Sequence, residues 1–109
     1  MKINKFPFTL PDWSNLELQE RNGVTGKATS KISFMGDIRV RMVEYSANYL
    51  ADHWCNKGHV IYCIEGEMQT TLEDGRIFTL SKGMTYQVGD DTEAHRSSTV
   101  HGCKLLIVD

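Results

Sequence analysis

This chain of 109 residues has no basic stripe, no long apolar run and no cysteine pair at CxxC spacing, and each absence removes a class of protein. Its 12 Lys and Arg against 14 Asp and Glu give a formal charge of −2 and a pI of about 6.1. The cations are scattered, so nothing gathers positive charge to meet phosphates, and a nucleic-acid partner is not expected. The longest apolar runs, such as Leu105 to Val108, are far too short to span a bilayer, so no membrane partner is expected either. The opening Met1-Lys2-Ile3-Asn4-Lys5-Phe6-Pro7 holds no apolar core of signal-peptide length, which makes the cytoplasm the expected location. Three cysteines, Cys55, Cys63 and Cys103, are an odd count and point to reduced thiols rather than a disulfide framework. There is no Gly-rich phosphate loop, no serine elbow and no pair of carboxylates spaced for acid–base work. Without repeats, low-complexity segments or a linker, residues 1–109 read as a single domain large enough for one core.

What the chain does have is a β rhythm. Glycines recur roughly every ten residues, and short runs rich in Val, Ile, Tyr, Phe and Thr lie between them, as in an all-β sandwich or barrel. Ile38 to Tyr45 alternates, Val60 to Ile64 reads as a buried strand, and Met68 to Leu80 reads as a hairpin about Asp74-Gly75. Met84 to Val88 and Lys104 to Asp109 are further strands. No stretch carries a convincing helical period; the best candidate is one turn after Pro11 with Trp13, Leu16 and Leu18.

The most informative stretch is Asp52-His53-Trp54-Cys55-Asn56-Lys57-Gly58-His59. His53 and Cys55 are two apart, so on an extended chain both point to one face, and His59 joins them if Asn56-Lys57-Gly58 turns or bends. His95, 36 residues beyond His59, is the fourth candidate. Imidazole and thiolate suit zinc, iron, nickel and copper rather than magnesium or calcium, so a transition-metal site is expected.

These residues resemble the two motifs of the cupin superfamily. The first motif runs from a glycine through His-x-His and a Glu to a second glycine. Here Ala47 stands in the first glycine position, His53-x-Cys55 fills His-x-His, His59 takes the Glu position, and Gly66 closes the motif. In the second motif Gly83 opens, Gly89 and Asp91 stand in the Pro-x-Gly places, His95 arrives one residue late, and Thr99 ends it. Together the motifs cover residues 47 to 99, about half the chain, with the spacing kept and the identities changed. The Asp-His-Trp-Cys run followed by Gly-His looks like a small group of single-domain bacterial cupins named DHCW, whose function is unassigned.

The resemblance implies a double-stranded β-helix, the cupin jelly-roll barrel, with a metal inside. The ligand set it implies is His53, Cys55, His59 and His95, holding one divalent transition metal, zinc first, with iron or nickel as alternatives. Four ligands on a tetrahedral zinc would close the site; a higher coordination number, or a ligand that swings away, would leave it open to a small-molecule ligand. Small cupins commonly dimerise, and the apolar Phe6, Phe8 and Trp13 suit a homodimer contact. Three functions follow: a metal-dependent enzyme acting on a small polar molecule, a non-catalytic binding or metal- and redox-sensing module, and a structural zinc protein.

Other residues carry weaker expectations. Arg39 and Arg41 share one strand face, directed either to solvent or a subunit contact, or into the cavity to meet an anionic substrate. Tyr86 and Ser97 could donate hydrogen bonds at the mouth. Cys63 keeps the parity of His59 and Ile61 and reads as interior packing, as does Cys103. Asp52 could orient a histidine, but its parity puts it on the opposite face from His53, where a structural or edge role is expected; Trp54 faces away from the metal, and Glu93 and His101 read as exposed without partners.

Overall fold

The regular elements of this chain are almost all extended, as the sequence rhythm requires. The computed structural model describes residues 2–109. The expected turn after Pro11 is a single 3-10 turn, Trp13–Asn15, opened by Asp12, whose carboxylate accepts from the Ser14 amide at 3.0 Å. Nine strands follow: β1 (Gln19–Asn22), β2 (Lys27–Met35), β3 (Ile38–Tyr45), β4 (Tyr49–Leu50), β5 (His59–Leu72), β6 (Ile77–Ser81), β7 (Thr85–Val88), β8 (His95–Thr99) and β9 (Cys103–Val108). Every pairing between them is antiparallel. None of the described helical segments is long and apolar enough to cross a membrane.

Strand β5 organises the barrel. The two segments expected as separate strands, Val60 to Ile64 and the first arm of the Asp74-Gly75 hairpin, are one strand of 14 residues. Its first half pairs with β7 and β9, and its second half with β6 and β8. One wall of the barrel therefore runs β1-β2-β3-β9-β5, and the other β4-β8-β5 with β6 alongside. The strand changes walls where its register against β9 slips between Cys63 and Glu65. Gly66 follows at φ 82°, and a Cβ there would run into the Gly102 carbonyl oxygen. Only glycine satisfies both demands, so the residue that closes the first motif is the hinge of the two sheets.

Alternation on β3, β9 and β5 turns one side chain in every two toward the interior, and the register stacks them in rows. Val43, Leu105 and Cys63 form one row; Arg41, Ile107 and Ile61 form the next. Met68, Leu80 and Cys103 complete the apolar core, with Met68, Leu105 and Cys63 entirely buried. Burying a Met or Leu side chain contributes about 1.5–3 kcal/mol each. One step further along the same strands, Arg39 and Asp109 exchange backbone hydrogen bonds at 2.6 and 3.0 Å, and His59 begins β5 beside them. The apolar side chains thus give way, from Arg41 to the Arg39, Asp109 and His59 row at one end of the barrel, to polar ones on the same inner face.

Candidate metal centre

Three elements bring the metal-competent side chains together. Residues 51–58 do not form a strand: Ala51 N–H donates to Ser97 O at 3.0 Å, the chain bends at Asp52-His53, and one bridge, Cys55 to His95, returns it to the sheet. That bridge carries both backbone hydrogen bonds, Cys55 N–H to His95 O at 2.8 Å and His95 N–H to Cys55 O at 3.0 Å. Residues paired in this way present their side chains on the same face, so Cys55 Sγ and the His95 ring lie side by side. His59 comes from the opposite wall at the start of β5. Gly58, just before it, packs so closely on the 88–90 loop that a Cβ would lie 2.6 Å from the Asp90 amide nitrogen, and its own N–H donates to Asp90 Oδ1 at 2.6 Å. The ligand atoms of Cys55, His59 and His95 all lie within 4.8 Å of one another.

Both histidines are held with Nε2 free for the cluster. His95 Nδ1 donates to the Glu93 carbonyl at 2.9 Å, and His59 Nδ1 faces Asp109 Oδ2 at 3.4 Å. With both protons on Nδ1, the two Nε2 lone pairs meet at 2.8 Å. Two imidazole lone pairs at that distance repel unless a cation or a proton lies between them. Burial, reinforced by the neighbouring His95, lowers His59 to about 4 despite the opposing pull of Asp109, so the ring is neutral at pH 7, the form that ligates. A thiol and two imidazoles converging with their second nitrogens already hydrogen-bonded form a donor set that fits a divalent transition metal.

Asp109 supports this arrangement. Its side chain is 1 % exposed, and it accepts from Arg39 Nε and Nη2 at 2.9 and 3.1 Å and from Arg41 Nη2 at 2.9 Å. Burial works to raise the carboxyl, but the Arg39 hydrogen bond and the two guanidinium charges outweigh it and hold the group below its usual value. Asp109 therefore stays ionised, a carboxylate clamped on one side by two arginines and facing a histidine on the other. The sequence reading placed Asp109 at the end of a strand but gave it no role. Its parity with Leu105 and Ile107 was visible; its neighbours, 50 and 70 residues away, were not.

The other candidate residues divide. His53 stays outside the cluster: its ring is half exposed and Nδ1 contacts Asp52 Oδ1 at 2.7 Å. The alternation that put His53 beside Cys55 requires a strand, and the bend at residues 52–53 removes it. The same bend corrects the reading of Asp52, which lies against His53 and not on the opposite face. Arg39 and Arg41 face the cavity, as do Ser97 and Tyr86. The Tyr86 hydroxyl lies 3.4 Å from His59 Nε2, and burial raises its phenol above the usual range, so it remains a neutral donor. Trp54 is turned outward beneath the Arg96 guanidinium, 6.0 Å from the ring centre. Glu93 has a partner after all, Arg76 of the Asp74-Gly75 hairpin. Cys63 and Cys103 are buried in the core as expected, and burial pushes the Cys103 thiol up to about 12.

No protein-family model matches the chain, and no curated protein matches it in sequence. Solved structures do. An RmlC-like cupin from Shewanella frigidimarina superposes with a TM-score of 0.71 at 18% identity, over 94% of this chain and 90% of its own. Ectoine synthase from P. lautus gives 0.74 at 18% identity, covering 93% of this chain and 76% of that one. An Fe(II) complex of HppE gives 0.77 at 10% identity, covering 94% and 60%. The chain has the cupin fold, a β-barrel whose interior carries a Cys-His-His group.

Proposed function

We propose that this chain is a metal-dependent enzyme that acts on a small polar molecule inside the barrel, with one divalent transition metal on Cys55, His59 and His95. The observation that carries this reading is the number of converging donors: three side chains meet and His53 stands apart. Three protein ligands leave coordination positions for water or substrate, the arrangement of catalytic rather than structural zinc. The thiolate and imidazole donors suit zinc, ferrous iron or nickel, and the Fe(II) bound by the structurally similar HppE keeps iron beside zinc as a candidate.

Bound there, the metal supplies Lewis-acid activation of a polar group on the substrate. The protein's own groups do the rest. Asp109 fixes the His59 ring, the Glu93 carbonyl fixes His95, and the neutral Tyr86 hydroxyl offers a hydrogen bond beside both. Elemental analysis with X-ray absorption at the metal edge tests the reading. One metal per chain with one sulfur, two imidazoles and additional oxygen neighbours is expected. A chain that takes up no metal, or a shell without sulfur, refutes it.

A homodimer is part of the same proposal. Phe8 and Leu10 in the segment before the 3-10 turn are 93% and 86% exposed, which suits burial against a second copy. Light scattering should give twice 12.4 kDa, and a monomer at all concentrations would remove this part.

A further inference from the structure

The two arginines that face the cavity are not equivalent. Arg39 grips both oxygens of Asp109, with Nε on one and Nη2 on the other. Arg41 reaches the same carboxylate through Nη2 alone. Its Nε is buried and finds no acceptor among the described residues, and no acceptor for Nη1 is found among them either. A cationic N–H removed from water without an acceptor is costly, and native proteins seldom leave one so.

The space Arg41 faces is a cavity of about 300 Å³, shared with Cys55, His59, His95 and Tyr86. Its charge runs against that of the chain. Arg21, Arg39, Arg41 and Arg96 line it against three carboxylates, whereas the chain carries 12 basic and 14 acidic residues. A divalent ion on the cluster would add to this excess. Asp109 Oδ2 contacts both Arg41 and His59, so the guanidinium stands one carboxylate and one imidazole away from the facing Nε2 atoms. A molecule of a few carbons spans that distance.

We propose that the cavity binds a small organic carboxylate, its carboxylate group on Arg41 and its opposite end facing Cys55, His59 and His95 beside the Tyr86 hydroxyl. The far end rests on the metal reading above; the Arg41 end does not. Nε is closed off from the cavity, so the donor a carboxylate would meet is Nη1, a charged N–H for which no protein acceptor is found among the described residues. Arg39 acts differently, as the clamp that keeps Asp109 from neutralising Arg41 through both oxygens.

Calorimetric titration of pyruvate, malonate and succinate, each against its uncharged amide, tests this on the zinc-loaded full chain and again after chelation. At least one acid should bind about tenfold or more tightly than its amide, the loss expected when a charge-assisted contact is removed. In Arg41→Gln that preference should fall to near unity; the ratio is unaffected by any parallel change in zinc affinity. Should that variant fail to fold, Arg41→Lys and the wild-type ratio still decide. No acid preferred over its amide, a preference that survives in Arg41→Gln, or inorganic phosphate binding as tightly as any carboxylate would each overturn the proposal. A chain that takes up no zinc defeats the metal reading, while the acid-to-amide ratio on the chelated protein still judges the Arg41 site.

Discussion

Replacing Asp109 with asparagine isolates what a buried carboxylate contributes to the proposed metal centre, which it does not touch. The substitution keeps size and shape and removes one charge, and that charge is the acceptor for three guanidinium contacts at 2.9–3.1 Å and for His59 Nδ1 at 3.4 Å. Two effects follow. The arginines lose their counter-charge, and because they are 34% and 21% exposed, water recovers part of the loss, so the stability cost should be about 1–3 kcal/mol and not the 3–5 of a fully buried pair. At the metal, His59 loses the partner that holds its proton on Nδ1 and its ring in place. Losses of this kind weaken metal binding about 10- to 100-fold, or about 1.4–2.8 kcal/mol. Zinc competition against a chromophoric chelator measures the second effect, and a thermal melt of the chelated protein measures the first. A folded Asp109→Asn protein with wild-type zinc affinity would refute the idea that this carboxylate orients His59.

Further expectations concern the ligands, the thiols and the hinge. Cys55→Ser should weaken zinc at least about tenfold while keeping the fold, and His53→Ala should keep one zinc per chain, as competition titrations will show; equal losses in the two would return His53 to the ligand set. Alkylation at pH 8 should modify Cys55 in the native protein and spare Cys63 and Cys103, whose thiols burial holds protonated, with all three labelled after denaturation and Cys55 protected by zinc. Gly66→Ala combines a positive φ with a collision against the Gly102 carbonyl and should cost about 2 kcal/mol or more in chemical denaturation. Leu105→Ala, at a site with no exposure, should cost about 2–5 kcal/mol.

How far the sequence could be read depended on the range of the interaction concerned. Local pattern sufficed for β3 at Ile38–Tyr45, for the Asp74-Gly75 hairpin and for interior Cys63, because alternation and turn chemistry act between residues close in the chain. The spacing of Cys55, His59, Gly66 and His95 was likewise legible, and with it the cupin resemblance. Parity failed at His53 and Asp52, since alternation holds only inside a strand and residues 52–58 are paired with the sheet at a single bridge. Strand β2, which carries no alternation as clear as that of β3, was not recognised, and its place is set by pairing with β3.

By itself, then, the sequence determined an all-β chain with soft, metal-competent side chains at cupin spacing, since residue type and separation along the chain are enough to specify those. Tertiary structure alone decided which three of the four candidates meet, and that Asp109 stands between Arg39, Arg41 and His59. Those contacts join residues as many as 70 positions apart, through the registers of β3, β9 and β5. A slip of one residue in either pairing would turn Asp109 out of the barrel, and nothing in the local sequence records which register holds.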